Sequence, residues 1–100
     1  MTTYPMKLVT IICEAHARDP VTQLLRSQGA HGWTSFGVEG EGSQGLRPGD
    51  IPEFSNIQIE AVVQPEVASE ILRRLGEDYF PRYAMVAFES DVRVLRREKF

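Results

Sequence analysis

Glycines and one arginine crowd a short stretch between two predicted strands. The segment GEGSQGLRPGD, residues 40–50, holds four of the chain's eight glycines and a single arginine, Arg47. Backbone N–H groups of glycines can approach an anion closely, Ser43 adds a hydroxyl, and Arg47 offers a planar guanidinium suited to phosphate or carboxylate. On these residues alone two interpretations stay open: an anion-binding loop, or a flexible exposed linker.

The same glycines formally match a dinucleotide-binding pattern. Gly40, Gly42 and Gly45 spell G-x-G-x-x-G. That motif requires a helix to begin at its end, whose amides hold the pyrophosphate, whereas here LRPGDIPEF follows with two prolines and no helical period. Gly-Lys-Ser/Thr does not occur in the sequence either. The chain therefore carries neither of the two common nucleotide-binding motifs.

Basic residues elsewhere bear on the choice between loop and linker. Arg82 lies in YFPRYAM, and Arg93 lies in DVRVLRREK, where Arg96, Arg97 and Lys99 follow it. Singly, each is typical of a solvated surface charge. Together with a glycine-rich loop they favour an anion site.

Cysteine and histidine give no catalytic or metal-binding pattern. Cys13 is the only cysteine, so no intramolecular disulfide can form, and on an apolar strand we expect it to be a buried small hydrophobe. His16 and His31 have no carboxylate or cysteine at metal spacing, and we expect them to be structural or exposed. The sequence has no Ser/His/Asp order and no H-E-x-x-H, and it predicts neither catalytic residues nor a metal site.

Length and charge limit the class of protein. One hundred residues correspond to one domain, and a domain this small often gains stability by oligomerising. A formal charge of −3 disfavours a nucleic-acid binder, which needs a basic face. The apolar run near the N-terminus is too short to span a bilayer. We expect a soluble, cytoplasmic protein that neither binds nucleic acid nor inserts into a membrane.

Two helices are predicted. The first begins with Asp19 as its capping residue and Pro20 at its first position, and Gly29 ends it in the left-handed conformation. The second begins near Pro65 and ends close to Tyr79, because the proline at position 81 cannot continue it. Each helix has apolar residues on one face, at i, i+3 and i+4.

The predicted strands are LVTIIC, WTSFGVEG, NIQIEAVVQ, AMVAFE and a short fifth strand, VRVL. The order β-α-β-β-α-β with a short extra C-terminal strand predicts an α+β fold, a ferredoxin-like sandwich with both helices on one face of an antiparallel sheet. Apolar residues also occur on the other phase of the strands. Self-association through the uncovered face is the expected solution.

Two stretches of the sequence resemble a known protein family. GWTSFGVEGEG resembles the second strand of PII signal-transduction proteins, and FESDVRV is similar to their C-terminal strand. The element spacing agrees from Lys7 to about Arg97. The glycine-rich loop more closely resembles that of PII-like proteins associated with bicarbonate transporters and carboxysomes. The chain is identified as a single PII-like domain over residues 1–100, with a flexible loop at about 41–54.

The resemblance implies a function. It implies a cytoplasmic homotrimer without a cofactor or enzymatic activity, which binds adenine nucleotides between subunits, with ADP and AMP favoured over ATP. It implies possible bicarbonate sensing. The glycine-rich loop would then control an inorganic-carbon transporter or a carboxysome-linked partner.

The resemblance also implies roles for residues of the loop and the strand before it. Thr34 would lie near the adenine, and Gly40, Gly42 and Ser43 near the ribose and phosphates. Arg47 would bring the loop onto the phosphates or a bicarbonate. The tyrosine that is uridylylated in other PII proteins is missing, which puts nitrogen control through that modification in doubt.

Four further ligand residues are implied outside the loop. Arg82 stands where PII proteins hold a phosphate-binding lysine, and Tyr83 follows it in a pattern that recurs in the subfamily. Arg93 matches an arginine of the C-terminal strand. Leu95 stands in place of a second arginine, which weakens triphosphate binding and favours di- or monophosphates unless Arg96 substitutes for that arginine.

Two alternative functions remain. One is an acylphosphatase-like hydrolase on the same fold, although its phosphate-binding loop would be EAHARDP, which has no glycine and offers only Arg18. The other is a purely structural assembly without a ligand.

Overall fold

The computed structural model describes residues 1–42, 45–46 and 56–100. Its elements in chain order are β1 Tyr4–Glu14, α1 Arg18–Ser27, β2 Thr34–Val38, β3 Glu41–Gly42, β4 Gly45–Leu46, β5 Asn56–Val63, α2 Pro65–Arg74 and β6 Met85–Val94. Short helical turns at Ala15–Ala17, Leu75–Tyr79 and Arg97–Lys99 follow β1, α2 and β6.

Four strands form one antiparallel sheet in the order β2-β5-β1-β6. β1, which contains the predicted LVTIIC strand, is central, and the two helices lie on crossovers as expected. The ferredoxin-like α+β fold is thereby confirmed. β3 and β4, which have two residues each, form a hairpin in which Glu41 pairs with Leu46. This hairpin was not predicted.

The separate fifth strand was a wrong prediction. VRVL belongs to β6, which pairs with β1 without interruption from Met85 opposite Cys13 to Val94 opposite Tyr4. The prediction divided this strand at Ser90 and Asp91, the two polar residues between AMVAFE and VRVL. They stay in the strand because β1, with 11 residues, is long enough to pair with all ten residues of β6.

The predicted cap of α1 was also wrong. α1 continues directly from the turn at Ala15–Ala17 and begins at Arg18, and no side chain caps it. Asp19 lies inside the first turn, where its carbonyl accepts a hydrogen bond from Thr22 Oγ1 at 3.2 Å. The end of the helix is as predicted, since Gly29 has a φ of 88°. α2 begins at Pro65, and its helical path ends at Tyr79, both as predicted.

One face of the sheet packs against both helices. Every second residue of β5 is buried there, namely Ile57, Ile59, Ala61 and Val63, against apolar residues of α1 and α2. Cys13 is part of this core, and burial raises the pKa of its thiol to about 11. The expectation of a buried small hydrophobe is correct.

Neither α1 nor α2 covers the opposite face, which we call the open face. Its cross-strand partners include Ile12 with Val86 and Thr10 with Phe88. The side chains of Val86 and Phe88 are 55% and 50% exposed. In the part of the chain that the structure describes, no helix is both long and apolar enough to cross a membrane.

Candidate functional site

Part of the glycine-rich loop lies outside the described residues, including Ser43 and Arg47. Gly40 is exposed between β2 and β3, and a Cβ added there would meet nothing within 4 Å. Gly42 lies in β3 opposite Gly45. The predicted mobility of residues 41–54 falls mostly on residues that are not described and stays a prediction.

Thr34 lies at the edge of a cavity of about 350 Å³ on the open face. Thr34 at the start of β2 pairs with Glu60 of β5, and Leu8 of β1 pairs with Val62. The strand alternation puts these four side chains on one face, where they line the cavity with Gly32, Trp33 and Phe100. An apolar floor beside a hydroxyl and a carboxylate suits a flat heteroaromatic group with polar substituents.

Arg82 and Tyr83 line a second, more polar groove of about 540 Å³. Tyr83 is half-buried, with its ring centroid 6.3 Å from that of Tyr79. Tyr79 donates a hydrogen bond to the Pro20 carbonyl oxygen at 3.4 Å, which joins this turn to the start of α1. The turn is therefore anchored, and it presents the exposed Arg82 side chain beside the groove.

The charges around this groove are mixed. Arg74 Nε donates to Asp78 Oδ2 at 2.9 Å, so its guanidinium is engaged within the helical path. Glu77 also lines the groove and accepts from Arg73 at 2.8 Å. Arg82 is thus the better placed of the two lining arginines to meet an anionic ligand.

The two histidines make local polar contacts. His16 Nδ1 lies 3.1 Å from Glu14 Oε2, and its ring centroid is 5.6 Å from that of Tyr83. His31 Nδ1 lies 3.2 Å from the Lys99 carbonyl oxygen. Both side chains are exposed. Among the described residues there is no group of three or more metal-binding side chains.

Arg93 and Arg96 lie far from Arg82. Arg93 pairs with Pro5 at the far end of β6, and Arg96 follows that strand, whereas Arg82 precedes it. By the alternation of side chains along the strands, Arg93 lies on the helix-covered face of the sheet, whereas Thr34 lies on the open face. Within one copy of the chain, the predicted ligand residues therefore lie in three separate places: the cavity beside Thr34, the groove beside Arg82, and the far end of β6 with Arg93 and Arg96.

Of the residues that line this cavity, only Thr34 was predicted from the sequence, and the missed residues Glu60 and Phe100 differ in how far they could have been found. Glu60 could have been found, because it alternates with the buried residues of the clearest predicted strand and so must lie on the open face. Phe100 gives no such signal. It reaches the cavity only because the segment after β6 folds back over the sheet.

Comparison with known proteins places this geometry in a family. The family model for nitrogen regulatory protein P-II matches residues 6–99. A search of curated protein sequences gives no match.

Solved structures agree. A crystal structure assigned to the PII-like signalling proteins, from Thermus thermophilus, shares 43% identity, covers 100% of this chain and 99% of its own, and has a TM-score of 0.87. CPII from Thiomonas intermedia K12, a nitrogen regulatory PII-like protein solved with ADP, AMP and bicarbonate, shares 31% identity over 99% of this chain and 96% of its own, with a TM-score of 0.91. CPII with ADP and bicarbonate shares 32% identity over 99% and 97%, with a TM-score of 0.89. Because the family model spans nearly the whole chain and the antiparallel sheet with two helices is the expected fold, the chain belongs to the family of nitrogen regulatory protein P-II.

Proposed function

We propose that this chain is a cytoplasmic regulatory protein which binds ADP or AMP, in preference to ATP, in sites shared between copies of itself. The nucleotide-binding residues are Thr34, Gly40, Gly42, Ser43, Arg47, Arg82, Tyr83, Arg93 and Arg96. CPII, solved with ADP, AMP and bicarbonate, supports both ligands. The expected assembly is a homotrimer.

One observation supports a site that is shared between two copies of the chain: the cationic residues lie far apart along β6. Met85 and Arg93 are eight residues apart in this strand, which corresponds to roughly 26 Å at about 3.3 Å per residue. Arg82 precedes Met85, so Arg82 and Arg93 of one copy cannot hold the same diphosphate. A second copy can bring its distal arginines to the first copy's Arg82 and complete the site.

The base and the phosphates then have different surroundings. The Thr34 cavity offers an apolar floor and two polar side chains for adenine and ribose. The glycine-rich loop leaves β2 at the same end of the sheet at which the chain passes from Arg82 into β6, since Val38, Asn56, Glu14 and Met85 lie there. Phosphates bound at this end would order the loop by charge-assisted hydrogen bonds.

An ordered loop would control a partner. The proposed partner is an inorganic-carbon transporter or a carboxysome-linked protein, and bicarbonate would act as the second signal. The support is the bicarbonate in CPII and the loop's resemblance to transporter-associated members. The hydrolase alternative is not favoured, since the connection from β1 to α1 is a tight turn without glycine.

Calorimetric titration with ADP, AMP, ATP and cyclic AMP, with and without bicarbonate, tests the proposal. We expect ADP or AMP to bind most tightly and bicarbonate to change that affinity; by linkage, the nucleotide must change bicarbonate affinity by the same factor. Arg47→Ala should weaken binding. Absence of binding by every adenine nucleotide would refute the proposal, and acyl-phosphate turnover at enzymatic rates would favour the hydrolase.

A further inference from the structure

The segment that follows β6 folds back over the open face. β6 ends at Val94, a helical turn spans Arg97–Lys99, and Phe100 lines the Thr34 cavity. Phe100 is half-buried, although most residues of the segment before it are exposed. Its position is therefore set by contacts to the body of the domain.

Two contacts on different elements hold this segment. The Arg97 guanidinium lies 4.8 Å from the centroid of the Tyr4 ring, within the range of a cation–π interaction. His31, in the loop before β2, has Nδ1 3.2 Å from the Lys99 carbonyl oxygen, and the ring N–H can donate to it. The segment is thus tied both to the start of β1 and to the loop before β2.

With Phe100 in place, the cavity still has about 350 Å³ of free volume. Small-molecule sites commonly have about 300–1,000 Å³. Phe100 therefore lines a cavity large enough for a small molecule and does not fill it. Leu8 and Val62 form its apolar floor, and Thr34 and Glu60 are its polar groups.

We propose that Phe100 is a base-stacking residue of the nucleotide site; the inference rests on the proposed function. An aromatic ring beside an apolar floor and two hydrogen-bonding side chains provides what a purine requires: a π-face to stack on and polar groups at its edge. The ring contributes to binding of the base and not to binding of the phosphates.

Phe100→Ala tests this role by calorimetry with two ligands, ADP and ribose 5-phosphate. We expect ADP affinity to fall about tenfold, since the base loses the aromatic face on which it stacks, and ribose 5-phosphate affinity to stay unchanged. Phe100→Trp should restore ADP binding. Leu95→Ala is the matched control, because Leu95 belongs to the same segment but is 60% exposed and does not line the cavity.

The contact between His31 and the segment is tested separately. His31→Ala removes the contact to Lys99 and should lower ADP affinity less than Phe100→Ala does, with ribose 5-phosphate again unaffected. Phe100→Leu keeps most of the apolar volume, so it tests stacking even if the alanine variant is poorly folded, as judged by circular dichroism.

Unchanged or tighter ADP binding in Phe100→Ala and Phe100→Leu would overturn the inference, since tighter binding would make Phe100 an obstacle. An equal loss for ribose 5-phosphate would also overturn it, because the ring would then act on the fold and not on the base. If the unsubstituted chain binds no ADP, the proposed function fails together with this inference.

Discussion

The two faces of the sheet are built from the same strands and differ in what covers them. On the helix-covered face, β5 contributes four buried side chains, and α1 and α2 complete an apolar core. On the open face, Phe36, Val86 and Phe88 remain exposed beside Glu60 and a cavity. One face therefore supplies the apolar core of the chain, while the other leaves large apolar side chains uncovered.

A truncation on the helix-covered face should cost the most stability. Ile59 has an exposed fraction of 0%, and Ile59→Ala should lower the free energy of unfolding by about 2–5 kcal/mol through lost burial and a residual cavity. Urea denaturation measures this change. The loss should not depend on protein concentration.

Phe88→Ala on the open face is the matched comparison. Because assembly stabilises a fold by mass action, its cost should grow when the protein concentration favours the oligomer. A concentration-independent cost equal to that of Ile59→Ala would remove the distinction between the faces.

A charge on the open face should break assembly. Phe88→Lys places an ammonium group where we expect apolar contact between copies, and an unpaired buried charge is strongly unfavourable. The mass measured by light scattering should fall from about three chains to one, with the far-UV circular dichroism retained. An assembly of unchanged mass would show that the copies meet elsewhere.

Cys13 tests how tightly the helix-covered face is closed. Burial raises the pKa of this thiol from 9.0 to about 11, so the thiolate fraction at pH 8 should be about 100-fold lower than for an exposed cysteine. A disulfide-exchange reagent should label the native protein at least that much more slowly than the urea-unfolded protein. Equal labelling rates would mean that this face opens readily.

Arg82→Ala should weaken ADP binding about tenfold, the effect of losing one charge-assisted hydrogen bond at an exposed position. Arg73→Ala is the control, because it removes the same charge from α2, where Arg73 is already bonded to Glu70 and Glu77. Calorimetry measures ADP affinity in both variants. An equal loss of affinity would indicate a general effect of charge and not a specific contact of Arg82.

Much of the fold was predictable from the sequence because the helix-covered face imposes a strict period. Alternation in β5 identifies Ile57 and Ile59 as core residues, and Gly29 and Pro65 mark helix ends by backbone geometry. The local sequence gave a wrong prediction where the extent of a strand is decided by pairing with a long neighbouring strand. The polar residues inside β6 look like a break, and β1 keeps them in the strand.

The candidate site was less predictable, since it depends on contacts between distant segments. Thr34 was predicted by resemblance, but its neighbours Glu60 and Phe100 come from another strand and from the segment after β6. The separation of Arg82 from Arg93 follows from the length of β6, which was underestimated by splitting it in two. No local pattern encodes these distances.

The outward surface of α2 should contribute least, and this sharpens the contrast between the two faces. Arg73 hydrogen bonds hold the pKa of the Glu70 carboxyl below its usual value of 4.5. A lowered pKa means that this carboxylate stabilises the folded state above about pH 4.5, and that the contribution is lost as the pH falls through the lower folded-state value. Glu70→Gln should therefore make the acid-induced loss of stability slightly shallower below pH 4.5, as measured by urea midpoints at pH 7, 4 and 3. Glu66→Gln is the control, because it removes the same charge from the first turn of this helix. If both variants change the pH profile equally, net charge and not the Arg73 contact is responsible. If neither variant changes the profile, the exposed pair is fully screened by solvent.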